Sequence, residues 1–180
     1  MVYRGKLLNL LKKLSLEYGE FRLSSGKTSS YYLDGKKVTL HPEASYYIAK
    51  IILDIIKDDQ AGAIGGLTMG ADPMVGAITL LSYIEKQPIP TFIVRKEPKK
   101  HGKQKLIEGI LENGWKVVIV DDVITTGGST LKAIRAVEEV GCEVVNVVCL
   151  VDRKEGGSDK IRKEGYKFSP IFTIEELGVK

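Results

Sequence analysis

The feature that most constrains the fold is an unbroken run of β-branched residues followed at once by acidic residues, glycines and hydroxyl side chains. Residues 117–130 read VVIVDDVITTGGST. Apolar residues without alternation are typical of a strand buried on both faces, as in a parallel sheet, and here we expect the strand to end at the acidic pair. A helix should follow the glycines, with an apolar face formed by Leu131, Ile134, Val137 and Val140. The segment therefore predicts a strand, a ligand-binding turn and a helix of a parallel α/β fold.

The chemistry of this turn suits a ligand with a diol at one end and a phosphate at the other. Asp121 and Asp122 fall where parallel sheets bind their ligands. Carboxylates there can accept hydrogen bonds from vicinal hydroxyls, or hold a divalent cation directly or through water. Residues 125–130 combine hydroxyl donors with glycines at a helix start, which favours an anion. The pattern is neither Gly-x-Gly-x-x-Gly nor a phosphate loop with a lysine after its glycines.

The rest of the chain alternates apolar runs with helical periodicity, which predicts βαβ units and a mostly parallel central sheet flanked by helices. Helical patterns occupy residues 2–18, 42–56 and 73–83, and strands are expected at residues 61–66, 91–94, 117–120 and 144–151. Residues 21–33 predict a hairpin that breaks the alternation and could cover the ligand edge of the sheet. We expect one domain of residues 1–180, with a small N-terminal hood (roughly 1–40) packed on an α/β core (41–180).

Composition narrows the class of protein. A chain of 180 residues with 43% hydrophobic content can bury one sizeable core. Basic and acidic residues are nearly equal in number (27 and 23, a net charge of +4), which does not favour a nucleic-acid partner. No apolar run approaches the ~20 residues of a membrane span, and the N-terminus lacks a signal-peptide core. Cys142 and Cys149 have no metal or redox spacing, and Cys149 is expected in the core. These features predict a cytoplasmic protein that binds neither membranes nor nucleic acids.

Two further segments carry charge at predicted strand ends. The first contains Arg95, Lys96, Lys99, Lys100, His101, Lys103 and Lys105, a cluster that suits a small polyanion. A solvated charge run is the usual explanation, but the preceding strand and the lone histidine favour a functional loop. The second segment ends in Asp152 and Arg153. An arginine can bind both oxygens of a planar carboxylate, and a surface ion pair is the alternative interpretation.

Taken in order, these segments resemble the motifs of a known family. VVIVDDVITTGGST is similar to the 5-phosphoribosyl-1-pyrophosphate (PRPP) motif of type I phosphoribosyltransferases. GEFRLSSGK and YYLD (residues 19–27 and 31–34) resemble the hood of orotate phosphoribosyltransferases. GGLTMGADP (65–73) matches the family's pyrophosphate loop in position, and RKEPKKHG (95–102) resembles its catalytic loop. The resemblance covers nearly the whole chain and implies a type I phosphoribosyltransferase-like α/β fold.

The resemblance also implies a role for individual residues. Asp121 and Asp122 would hold the ribose hydroxyls, and residues 125–129 the 5′-phosphate. Thr125 and Arg153 would bind orotate. The residues implied to bind PRPP are Arg95, Lys96, Lys99, His101, Asp121, Asp122, Val123, Ile124, Thr125, Thr126, Gly127, Gly128 and Ser129, and those implied to be catalytic are Lys99, His101 and Asp122.

The implied activity is transfer of the phosphoribosyl group from PRPP to orotate, giving orotidine 5′-monophosphate and pyrophosphate in the synthesis of pyrimidines (UMP). Mg²⁺ is the implied cofactor, bound mainly through PRPP rather than at a metal site of the protein. Because the family's catalytic loop reaches into the neighbouring subunit, a homodimer with shared active sites is implied. Two alternatives stay open, a purine or uracil phosphoribosyltransferase and a non-catalytic PRPP-sensing regulator. The hood sequence and Arg153 disfavour the first, and the lysine–histidine loop disfavours the second.

Overall fold

The N-terminal third of the protein is a helix, a hairpin and two further helices. In the computed structural model, which describes residues 2–22, 28–98 and 106–179, this part contains α1 (Val2–Leu14), β1 (Leu16–Arg22), β2 (Thr28–Leu33), α2 (Lys36–Thr39) and α3 (Pro42–Ile56). Strands β1 and β2 pair antiparallel as predicted. The helix expected over residues 2–18 ends at Leu14, because the chain then enters the hairpin.

The remainder is a six-stranded sheet with helices on both faces. Its elements are β3 (Ala63–Leu67), α4 (Asp72–Ile84), β4 (Thr91–Val94), β5 (Ile107–Gly109), β6 (Lys116–Ile124), α5 (Gly128–Glu138), β7 (Glu143–Asp152), α6 (Gly157–Lys163), β8 (Phe168–Thr173) and a 3₁₀ helix (Ile174–Leu177). The strand order is β5-β4-β3-β6-β7-β8, and only the β4–β5 pair is antiparallel. The predicted fold class is therefore confirmed.

Strand β6 lies at the centre of the sheet and separates two apolar cores. Val118 and Val120 face α1, α3 and α4, whereas Val117 and Ile119 face α5 and α6. All four side chains are fully buried, which explains the absence of alternation in the sequence. Cys149 on β7 is buried in the second core, as predicted.

Several boundaries differ from the sequence predictions. β6 does not end at the acidic pair but continues through Asp121 and Asp122 to Ile124, because the main chain stays paired with β7 as far as Asp152. Val140 is 40% exposed rather than part of the apolar face, since α5 ends at Glu138. Residues 96–110 have no core-facing pattern in the sequence, yet β5 forms at the end of this range and pairs with β4. The sequence also does not predict α6 or β8.

The hairpin contacts the carboxyl edge of the main sheet. Tyr31 of β2 lies against Arg153, whose guanidinium carbon is 4.8 Å from the centre of the ring. Leu33, at the end of β2, is buried in the core. The division into a hood and an α/β core stays a prediction. Over the described ranges, no helix combines the length and the apolar character needed to cross a membrane.

Candidate active site

The two acidic residues of β6 lie at the carboxyl edge of the sheet, and their side chains accept hydrogen bonds from residues on opposite faces of it. Asp121 accepts a hydrogen bond from Thr130 Oγ1 of α5 (2.9 Å) and another from the main-chain N–H of Asp122 (3.0 Å). Asp122 accepts from the main-chain N–H of Val123 (2.9 Å) and from Lys36 Nζ on the other face (3.1 Å). Each carboxylate is thus fixed in direction before any ligand binds.

Burial and a neighbouring charge change the acidity of Asp121. Removal from water raises the pKa of Asp121 to about 7, and the negative charge of Asp122 adds to this effect. The hydrogen bonds from the Thr130 hydroxyl and from the N–H of Asp122 act in the opposite direction and lower the pKa of Asp121. Asp121 therefore changes its charge near neutral pH, in a range where an ordinary aspartate stays ionised.

The turn between β3 and α4 lies directly over these carboxylates. A Cβ atom added to Gly70 would be 2.5 Å from Asp121 Oδ1 and 2.8 Å from Asp122 Oδ1. The main chain of residues 68–71 can reach this distance only because position 70 has no side chain in the way. The turn is held by a hydrogen bond from Thr68 Oγ1 to Asp72 Oδ2 (2.7 Å). The predicted pyrophosphate loop is therefore adjacent to the acidic pair.

The glycine-rich turn after β6 is shaped by Gly127 within it and by Gly157, which packs against it. Gly127 has a left-handed φ of 76°, which places the start of α5 directly after it. The main-chain N–H of Gly157 donates to the carbonyl of Thr125 (2.9 Å), and a Cβ on Gly157 would be 2.4 Å from that oxygen. Thr126, Gly128 and Ser129 are exposed, as an anion site requires. The side chain of Ile124 belongs to the core, so only its main chain could face a ligand.

Arg153 lies beside this turn and is buried, with 8% of its surface exposed. Its main-chain N–H donates to the carbonyl of Ile124 (2.9 Å), and its Nη2 pairs with Glu155 Oε1 (2.9 Å). The Nε atom is buried and has no hydrogen-bond partner among the residues that the structure describes. The ion pair of the alternative interpretation is thus present, but it uses only Nη2 of a guanidinium that is buried and lies against the ring of Tyr31.

Of the predicted catalytic segment, the structure describes only the two ends, and Lys99 and His101 lie outside the described residues. Arg95 directly follows β4, and its main-chain N–H donates to the carbonyl of Leu106 (2.8 Å). Its guanidinium pairs with Glu108 of β5 (Nη1–Oε1, 3.3 Å). Lys96 is exposed, and its carbonyl accepts a hydrogen bond from Lys132 of α5. The base of the segment is thus anchored beside the glycine-rich turn.

Comparison with known proteins identifies the family. Residues 36–175 match the phosphoribosyl transferase domain family. The orotate phosphoribosyltransferase of Aquifex aeolicus is 47% identical to the chain over 180 residues, with 98% of each sequence covered. The chain belongs to the orotate phosphoribosyltransferase family. The members with solved structures include that of Mycobacterium tuberculosis H37Rv, whose complex with Fe(III) dicitrate has a TM-score of 0.88 at 40% identity, covering 98% of this chain and 99% of that one. The same relative in complex with PRPP has a TM-score of 0.83 at 37% identity, with 98% and 99% coverage.

The fold brings together most of the described residues that the family resemblance singled out. Asp121, Asp122 and residues 125–129 line one edge, and Arg153 follows the neighbouring strand. The sequence predictions missed Lys36, which bonds to Asp122, and Gly157, which shapes the turn. Thr130 was expected among the hydroxyl donors of the turn, but it is buried and donates to Asp121. The signal for Lys36 was its position directly after the hairpin that was expected to cover this edge.

Proposed function

We propose that this member of the orotate phosphoribosyltransferase family transfers the 5-phosphoribosyl group from PRPP to orotate. The products are orotidine 5′-monophosphate and pyrophosphate, and the reaction serves pyrimidine (UMP) synthesis. The observation that carries the proposal is the meeting, at one sheet edge, of a carboxylate pair, a glycine-rich helix start and a buried arginine. The first two groups suit a ribose 5-phosphate. The third suits a planar carboxylate, since Arg153 Nε has no partner in the described part of the chain.

The chemistry is a displacement at C1 of the ribose. A nitrogen of orotate forms the new bond to C1 while the bond to the pyrophosphate oxygen breaks, and that oxygen keeps the electron pair. Asp121 and Asp122 hold the ribose hydroxyls, and Arg95, Lys96, Lys99 and His101 stabilise the charge that develops on the leaving group. Residues Lys99, His101 and Asp122 are assigned the catalytic roles.

A covalent intermediate on cysteine is not part of the proposal. Cys149 of β7 lies opposite Asp121 of β6, so this cysteine is in the sheet beside the site. Burial raises the pKa of its thiol well above the ordinary value, and the charge of Asp152 adds to this effect. The nucleophilic thiolate is therefore suppressed, which argues against a covalent intermediate on this cysteine.

Mg²⁺ would enter the site as part of the PRPP complex. The described residues include no group of three or more His, Cys, Asp or Glu side chains placed to hold a metal ion. Most of the oxygen ligands that Mg²⁺ prefers would then come from the pyrophosphate and from water. The cation would neutralise charge on the leaving pyrophosphate.

The proposal includes a homodimer with shared sites, and an apolar face on α4 supports the dimer. Leu80, Tyr83 and Ile84 are 63%, 73% and 62% exposed, and their spacing places them on one side of the helix. Apolar side chains clustered in this way are typical of a protein–protein interface, and a second copy of the chain is the occupant we propose. A cytoplasmic location is also part of the proposal, supported by the two free cysteines, Cys142 and Cys149.

The test is a panel of acceptors. The purified protein is incubated with PRPP, Mg²⁺ and, in turn, orotate, uracil, adenine or hypoxanthine, and the release of pyrophosphate is followed. We expect release with orotate alone. Release with uracil or a purine would favour another phosphoribosyltransferase, and binding of PRPP without turnover would favour a regulator.

A further inference from the structure

We propose that Lys36 is a positioning residue for Asp122 and, through it, for the ribose hydroxyls of PRPP. The proposal rests on the proposed function and deepens it, since it adds a residue between the hairpin and the acidic pair. Lys36 opens α2, directly after the hairpin, and reaches Asp122 across 86 positions of the sequence.

The turn that carries Lys36 is fitted closely against β6. Its main-chain N–H donates to Asp34 Oδ1 (3.0 Å), which fixes the start of α2. A Cβ atom added to Gly35 would be 3.0 Å from Val123 Cγ2 and 3.1 Å from Asp122 Oδ2. The turn lies so close to the strand that a side chain at position 35 would crowd Val123 and Asp122, and the main chain therefore places Lys36 beside Asp122.

With this contact, each oxygen of the Asp122 carboxylate has a hydrogen-bond donor. Oδ1 of Asp122 accepts from the N–H of Val123, and Oδ2 accepts from Lys36 Nζ at 3.1 Å. Without the lysine, one oxygen would lose its donor and the carboxylate could rotate. Hydroxyls of a bound ribose would then meet an acceptor in the wrong direction, and hydrogen bonds weaken steeply with angle.

The charges around Lys36 favour this role. Burial lowers the pKa of Lys36, but the charge of Asp122 and its hydrogen bond, aided by Asp34 and Asp121, outweigh burial and raise that pKa. The lysine is therefore a cation throughout the working range of pH. It faces a pair of carboxylates that would otherwise repel each other.

The same contact contributes little to folding. The Lys36 side chain is 42% exposed, and ion pairs with an exposed partner typically contribute less than about 1 kcal/mol. The side chain of Asp122 is only 11% exposed, so its direction is set by few groups. A change at Lys36 should consequently affect PRPP binding more than stability.

The experiment compares Lys36→Met with Lys37→Met and Lys36→Arg. Lys37 is the matched control, because it has the same charge one position along and pairs with Glu17 on β1 instead of Asp122. In Lys36→Met we expect the KM for PRPP to rise about tenfold, as for the loss of one charge-assisted hydrogen bond. We expect kcat and the KM for orotate to stay within about twofold, and Lys36→Arg to recover most of the loss. Lys37→Met should match the wild type.

A pH profile and a binding measurement separate the possible failures. Loss of the cation should move the acid limb of kcat/KM for PRPP to higher pH, because Asp121 then keeps its proton more tightly. Equal effects of the two methionine variants would overturn the proposal, as would a lower melting temperature with an unchanged KM for PRPP. If the wild type lacks turnover with orotate, the proposed function fails, and PRPP affinity by calorimetry still decides the role of Lys36 by the same comparison.

Discussion

Replacing Asp121 with asparagine is expected to stabilise the fold at alkaline pH while it weakens the binding of PRPP. Asp121 is buried, and its pKa is raised from an ordinary value of 3.8 to about 7. The folded protein therefore binds this proton more tightly than the unfolded chain does. Stability from this group is highest at low pH and is lost as the pH rises from about 4 to about 7. Asparagine has the same shape and cannot ionise, and the Thr130 hydroxyl could accept from its amide.

The size of the effect follows from the shift. A rise from 3.8 to about 7 is roughly three pH units, and each unit corresponds to about 1.4 kcal/mol. Asp121 and Asp122 interact, so part of the shift belongs to the pair rather than to Asp121 alone. We therefore expect the ionised Asp121 to lower the free energy of unfolding by about 2–4 kcal/mol above neutral pH. The ionised Asp121 thus lowers the stability of the fold, but it provides an acceptor for the ribose hydroxyls.

Urea unfolding of the ligand-free protein at pH 5 and pH 8.5 measures this cost. Other groups titrate in both proteins, so the change in the wild type minus the change in Asp121→Asn isolates Asp121. Stability from Asp121 is lost between about pH 4 and about pH 7, and the interval from pH 5 upward covers about two of these units. We therefore expect the wild type to lose about 2–3 kcal/mol more than the variant between the two pH values. Asp159→Asn, at a side chain that is 88% exposed, is the control and should parallel the wild type. Parallel curves for the wild type and Asp121→Asn would refute the reasoning.

Three further predictions concern the reaction itself. Lys99→Ala should depress turnover far more than the melting temperature, and unchanged steady-state kinetics would remove that segment from the mechanism. Arg153→Ala should weaken orotate binding by about tenfold or more and PRPP binding much less, as for a lost bidentate contact, and equal losses by calorimetry would count against its assignment. If sites are shared between subunits, mixing inactive Lys99→Ala and inactive Asp122→Ala proteins should restore part of the activity. Absence of recovery after confirmed subunit exchange would place each site within one chain.

The parts of the fold that the sequence predicted are those with strong local patterns. The apolar run before Asp121 and the helical face of α5 are each encoded within a short contiguous segment. The run formed a buried strand as expected, and of the expected face Leu131, Ile134 and Val137 are buried. β5 has three residues and β8 contains Pro170, so neither has a recognisable strand pattern. β8 is stabilised by pairing with β7 at the sheet edge, where a proline is tolerated.

The same distinction applies to the candidate site. The acidic pair and the glycine-rich turn are contiguous, so their chemistry is readable from the sequence. Lys36 acts on Asp122 across 86 positions, and Tyr31 meets Arg153 only after the hairpin folds over the sheet. The continuation of β6 past the acidic pair was also unpredictable, because it depends on pairing with β7, whose paired residues lie about 28 positions further along the chain.

A crystal structure of the protein with orotidine 5′-monophosphate would test the central claim most directly, since this nucleotide carries both halves of the proposed site in one molecule. The account predicts the phosphate at residues 125–129, the ribose hydroxyls within hydrogen-bond distance of Asp121 and Asp122, and the carboxylate of the base against the guanidinium of Arg153. A nucleotide bound with its phosphate elsewhere, or with its carboxylate away from Arg153, would contradict it.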